Sequence, residues 1–293
     1  MGHLLLMVVP SLLSGLLLGW RWPALPSWLA PPIVRWGVPL SLAALLLRSS
    51  WSPTLLRVAL LGLLVPLLTL MVLSVLPPLR DRLRDPALIL GASVGNTGYW
   101  GLPVVLALLP PEAVATAAIY DVVGTLFTWS VGPLVLMGPR RSPARHLGGL
   151  LGSPAMQGFL LATLIRWTPW RDALALLLWW PARMVFVMAL GLLGMRLGLA
   201  LRNRSFAVSP GLPLAMVCKL LMVPALVWGL TRALAMPVAD QQALVLQGAA
   251  PTALSVLLMA EAHQRSGPLA SSLVVSSTMA AMVTVPIWWG VMR

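Results

Sequence analysis

The stretch that decides the fold is Gly91–Ala92–Ser93–Val94–Gly95–Asn96–Thr97–Gly98–Tyr99–Trp100–Gly101–Leu102–Pro103. It places four glycines and one proline within 13 residues, in the middle of a longer apolar run. In a helix interior each Gly costs about 1 kcal/mol relative to Ala, and each Pro about 3 kcal/mol. This run therefore predicts a helix that is interrupted. At membrane depth an unwound stretch is tolerable only where its freed N–H and C=O groups line a cavity. The ends of the two half-helices also carry partial charges, and the positive N-terminal end suits an anion. The simpler alternative is that Gly and Pro only permit close packing or a kink.

The surrounding composition shows why membrane depth is the right frame. Of 293 residues only 9% are charged, whereas 59% are hydrophobic and the mean hydropathy is +0.91. An average soluble domain carries roughly a quarter charged residues, so a soluble or disordered chain is excluded. The net charge is +13, with 20 Lys and Arg against 7 Asp and Glu. In a soluble protein that excess would point to nucleic acid; in a membrane protein it reflects Arg collecting in loops. A single cysteine, Cys218, excludes a disulfide framework. The three histidines, His3, His146 and His263, lie far apart, so neither a metal nor another cofactor is expected. Fourteen Trp suit the membrane interfaces, where the ring is buried and the N–H stays wet.

About 20 residues cross the hydrocarbon core. On that measure the chain reads as an all-α membrane protein of ten transmembrane helices, near 3–20, 32–48, 54–77, 86–109, 112–137, 149–166, 172–200, 210–233, 238–261 and 267–291, with eight or nine spans, from merging short segments, as the main alternative. The first lacks a basic start and a small-residue cleavage site, so it is expected to be a retained span. With the N-terminus outside, 11 loop Arg fall on the cytoplasmic side and 6 outside. That split predicts both termini outside a cell (inner or plasma) membrane.

Proline and glycine recur at nearly constant spacing. Pro66 matches Pro224, Gly95–Gly98 matches Gly248–Pro251, and Pro133 matches Pro286, at offsets of 158, 153 and 153. The chain then divides at the basic joint Gly138–His146 into repeats 1–145 and 146–293. Five helices per repeat is an odd number, so the second copy enters the membrane inverted. Inverted repeats with broken helices near the midplane mark secondary transporters. The breaks fall in spans 4 and 9.

The run Asn96–Thr97–Gly98–Tyr99–Trp100–Gly101–Leu102–Pro103 resembles a signature of the auxin efflux carrier family, which includes bacterial organic-acid permeases and plant auxin exporters. Ala118–Asp121, Lys219–Pro224, Pro251, Leu258–Glu261, Ala270–Thr278 and Val285–Pro286 fit as well. The resemblance implies helices 1, 2, 6 and 7 as a scaffold, usually dimerising. It implies helices 3–5 and 8–10 as a mobile transport domain, with helices 4 and 9 crossing at the substrate. It also implies elevator-type transport of small organic anions, malate-like or auxin-like. The sequence departs from the family in its short central loop and in Arg183–Met184, where many relatives have proline.

Ionisable residues inside a membrane are functional candidates by default. The expected substrate-binding residues are Asn96, Thr97, Gly98, Gln247, Ala250, Pro251, Arg183 and Lys219. Asn96 supplies donors and an acceptor for a carboxylate or for loose backbone ends. Lys219 supplies a counter-charge, pairs with Asp121, or snorkels. Arg183 meets the substrate across the boundary or pairs structurally. Asp121, with Tyr120, is a proton-coupling site or a hydrogen-bonding support for the break. Glu261 and His263 are expected to be solvated. The expected partners are a small organic anion, the bilayer and a second copy of the chain. Competing readings are a sodium-coupled carrier like the bile-acid symporters and a non-transporting receptor. No Ser/His pair or HExxH motif points to an enzyme.

Overall fold

The computed structural model describes residues 2–48, 53–110, 112–137, 152, 154–203 and 207–293. Among them there is no strand, only one isolated bridge. The chain is an all-α membrane protein. Among the described residues, six helical segments are long and apolar enough to cross a bilayer: Leu25–Arg48, Thr54–Val75, Glu112–Met137, Arg171–Arg202, Leu212–Ala233 and Gly267–Val291. The predicted joint Gly138–His146 lies outside the described residues.

The helices are α1 (Gly2–Arg21), α2 (Leu25–Pro32), α3 (Val38–Arg48), α4 (Pro53–Val75), α5 (Pro77–Leu83), α6 (Pro86–Ser93), α7 (Leu102–Leu108) and α8 (Glu112–Met137). After the joint come α9 (Pro154–Arg166), α10 (Arg171–Asn203), α11 (Leu212–Val217), α12 (Val223–Ala233), α13 (Val238–Gly248), α14 (Leu254–Ala262) and α15 (Gly267–Val291). Wider π-helical turns at Ile33–Gly37, Thr97–Gly101 and Cys218–Met222 lead into α3, α7 and α12.

One predicted detail needs correction. The second span starts at Leu25 rather than near residue 32, because Pro26 sits in the first turn of α2, where a missing N–H costs nothing. Pro133 and Pro286 lie inside their helices, α8 running to Met137 and α15 to Val291 as the predicted spans do. Packed neighbours can satisfy the backbone that such a proline leaves open. The basic loop before α6 also holds a short helix of its own, α5, with Arg80 and Arg82 in its last turn.

Two groups of helices pack among themselves. In the first, α1 lies along α10, and α3 packs on both α9 and α10. The α1–α10 seam is made by glycine. A Cβ on Gly15 would lie 2.1 Å from the Gly191 carbonyl oxygen, and one on Gly194 would lie 2.2 Å from that of Leu12. Gly19 and Gly198 face Met195 and Leu16 equally closely, at 2.0 and 2.1 Å. In lipid, where water does not drive helices together, such small residues allow the backbone approach that holds them. In the second group, α4 packs on α8 and α6, α13 on α8 and α12, and α14 on α15.

Candidate functional site

The two interrupted segments meet each other. α6 ends at Ser93 and α13 at Gly248, and the extended residues beyond them pair antiparallel across Gly95 and Thr252. The Asn96 N–H donates to the Pro251 carbonyl at 2.7 Å, and the Ala253 N–H donates to the Val94 carbonyl at 3.2 Å. Backbone groups freed by one break are thus satisfied by the other, which meets the requirement that buried peptide groups be paired. Thr252 pins the crossing further: its hydroxyl donates to the Gly91 carbonyl at 3.0 Å, and its N–H donates to the Ser277 hydroxyl at 3.1 Å. The Asn96 carbonyl then accepts from Trp100 and Gly101, starting the π turn into α7.

A cavity of about 90 Å³ lies between this crossing and the α1–α3–α9–α10 group. The crossing side contributes Asn96, Thr97, Gly98 and Ala253–Ser255, and α8 contributes Asp121, Thr125 and Trp129. Val38, Ser41 and Phe186 face them from α3 and α10. Asn96 is only 4% exposed, and its Nδ2 is buried with no hydrogen-bond partner. α14 starts on this cavity with no side-chain cap. The Asp121 carboxylate accepts from the Thr97 hydroxyl at 2.5 Å and from that of Thr125 at 3.5 Å. A Cβ on Gly98 would come within 3.1 Å of both Asp121 oxygens, so a side chain there would press on the carboxylate that glycine leaves room for. The support that Asp121 gives the break runs through the Thr97 side chain.

The structure brings some of the expected residues to this cavity and takes others away. Asn96, Thr97, Gly98 and Asp121 line it. Ala250 and Pro251 do not; Pro251 contributes its carbonyl to the crossing. Gln247 is fully buried, donates Nε2 to the Ala117 carbonyl at 2.9 Å, and presses Oε1 against Gly101. That Oε1 has no partner. Lys219 lies behind the crossing, beside a hollow of about 20 Å³ shared with Tyr120 and Gln247. Its Nζ donates to the Gly248 carbonyl at 2.6 Å, at the negative end of α13, and it forms no ion pair with Asp121. Arg183 points away to the rings of Trp179 and Trp180, at 5.7 and 5.6 Å, one turn back on its own helix. Among the described residues, the cavity therefore holds a carboxylate and no cationic side chain. Sequence reasoning missed Ser41, Ser255 and Thr125; a hydroxyl inside an apolar span was the only signal, and many such hydroxyls bond only to their own helix.

Compared with known proteins, residues 145–289 match a family described as membrane transport protein. No curated protein matches the chain.

Proposed function

Because the chain belongs to the auxin efflux carrier family of membrane transport proteins, we propose that it is a secondary carrier of small organic anions, carboxylates above all. The observation that carries this reading is the buried, unpartnered amide of Asn96 at the meeting of two helix breaks. A buried donor without an acceptor is costly, and a carboxylate supplies one. The uncapped start of α14 favours negative charge at the same place. Tyr99, Trp129 and Phe186 give the cavity an apolar wall for the body of the cargo.

In this reading helices 3–5 and 8–10 of the ten-span scheme move as a unit carrying the crossing. Helices 1, 2, 6 and 7 stand still, and α1 against α10 is too closely packed to slide. The two halves of the chain, 1–145 and 146–293, are inverted repeats that each give helices to both units, the scaffold pairs with a second copy, and both termini lie outside. A cavity of about 90 Å³ is well below the ~300–1,000 Å³ of a drug-sized site. The cargo is therefore small, or the wall moves to admit it. A carboxylate beside Asp121 sets two negative groups together in a site of low dielectric, so one proton travels with the pair. Lys219 takes a structural role, as the cation that holds the end of α13.

Transport into proteoliposomes of acetate, malonate, malate and indole-3-acetate tests the reading. Asn96→Ala removes a hydrogen bond to a charged group, worth ~1.5–3 kcal/mol. It should cut uptake of the transported acid by about tenfold or more. Uptake equal to wild type would show that the cargo binds elsewhere.

A further inference from the structure

Arg196 has no role at the crossing, yet it sits on a second cavity built by the same helices. α10 and α14 line the first cavity through Phe186 and Leu254, and the second through Leu193 and Glu261. On α10 that is a step of seven residues, about 10 Å at 1.5 Å per residue, while on α14 the neighbouring residues Leu258 and Leu257 face the first and the second cavity. α15 closes the second cavity with Ser271, Val274 and Thr278. Its volume is about 260 Å³, nearly three times that of the cavity at Asn96.

Four polar side chains reach it: Arg196, Glu261, Ser271 and Thr278. The Thr278 hydroxyl is spent on the Val274 carbonyl at 2.7 Å. Glu261 is exposed and forms no ion pair with Arg196. The Arg196 Nε is buried without an acceptor. A guanidinium whose N–H is desolvated and unanswered asks for an anionic acceptor, and this one stands on the helix that also lines the cavity at Asn96 through Phe186.

We propose that this cavity is an aqueous antechamber for the cargo, in which Arg196 draws a carboxylate into the α10–α14 seam before it reaches Asn96. The inference rests on the anion-carrier reading and extends it to a loading site. With the predicted orientation, the antechamber opens on the cytoplasmic side.

The experiment uses the full-length chain in detergent, with the buried Cys218 replaced (Cys218→Ala) and Ser271→Cys as the only thiol. Labelling by a negatively charged methanethiosulfonate is compared with labelling by a positively charged one. The anionic reagent should react about tenfold faster, as a focused unit charge allows, and Arg196→Gln should remove that preference. Leu197→Cys reports on the same cavity if Ser271→Cys folds poorly. No labelling at either position, or a preference that survives Arg196→Gln, overturns the proposal. Because labelling does not read transport, this failure is distinct from a null result for Asn96→Ala. In proteoliposomes, Arg196→Gln should raise the KM of a transported carboxylate several-fold at unchanged maximal rate. An unchanged KM would likewise overturn the loading role.

Discussion

Asp121 shows how one side chain organises a break. It accepts from Thr97 in the π turn and from Thr125 one turn along its own helix, while Gly98 leaves room for the carboxylate. Thr97→Val keeps the shape and removes one donor, leaving a buried acceptor short by ~1–3 kcal/mol. The variant should melt several degrees lower in detergent and transport poorly, whereas Thr97→Ser should behave as wild type. Wild-type melting and transport in Thr97→Val would mean that the hydroxyl does not position the turn. Arg183 and Lys219 show the limit of charge counting. Both are cations inside apolar segments, but one stacks on tryptophan and the other holds a carbonyl.

Among the elements, the α1–α10 pair is packed backbone against backbone. Its glycines bring backbones so close that any side chain at Gly194 would displace α1. Overpacking of this kind costs ~1–3 kcal/mol. Gly194→Leu should therefore lower the melting temperature clearly, while Gly229→Ala, with nothing within 4 Å of its Cβ, should leave it nearly unchanged. Equal melting of the two variants would remove the argument for a stiff wall. The broken elements behave differently, since each of the two interrupted segments is completed in part by the other's backbone.

At the scale of the whole molecule, the cavity lies on the boundary between the two helix groups, as a sliding mechanism requires. Ser41 lines it from α3 and Ser255 from α14. With Cys218 replaced by Ala, Ser41→Cys with Ser255→Cys should lose transport on treatment with a bifunctional thiol reagent and recover when a cleavable linker is reduced. Ser11→Cys with Gly191→Cys, a pair within the wall where a Cβ on Gly191 lies 3.8 Å from the Ser11 carbonyl oxygen, should be indifferent to the same reagent. Continued transport by the cross-linked Ser41–Ser255 pair would rule out relative movement of the two groups.

The apolar runs, the positions of both breaks and the membrane setting followed from local chemistry. Length and hydropathy set a span, and Gly and Pro weaken a helix wherever they stand. Asn96, Thr97, Gly98 and Asp121 could be read as candidate site residues partly for the same reason, being polar or permissive inside an apolar run, and partly from the family resemblance of the Asn96–Pro103 run. What only the tertiary structure decided is how those groups are answered. The pairing of Gly95 with Thr252 joins residues more than 150 positions apart, and no local preference encodes it. The turning of Arg183 onto its own tryptophans, the capture of Lys219 by Gly248 and the unanswered donor on Arg196 depend likewise on which acceptors packing brings near. A charge in a sequence specifies a demand for a partner; the fold selects the partner or, at Asn96 and Arg196, leaves the demand open.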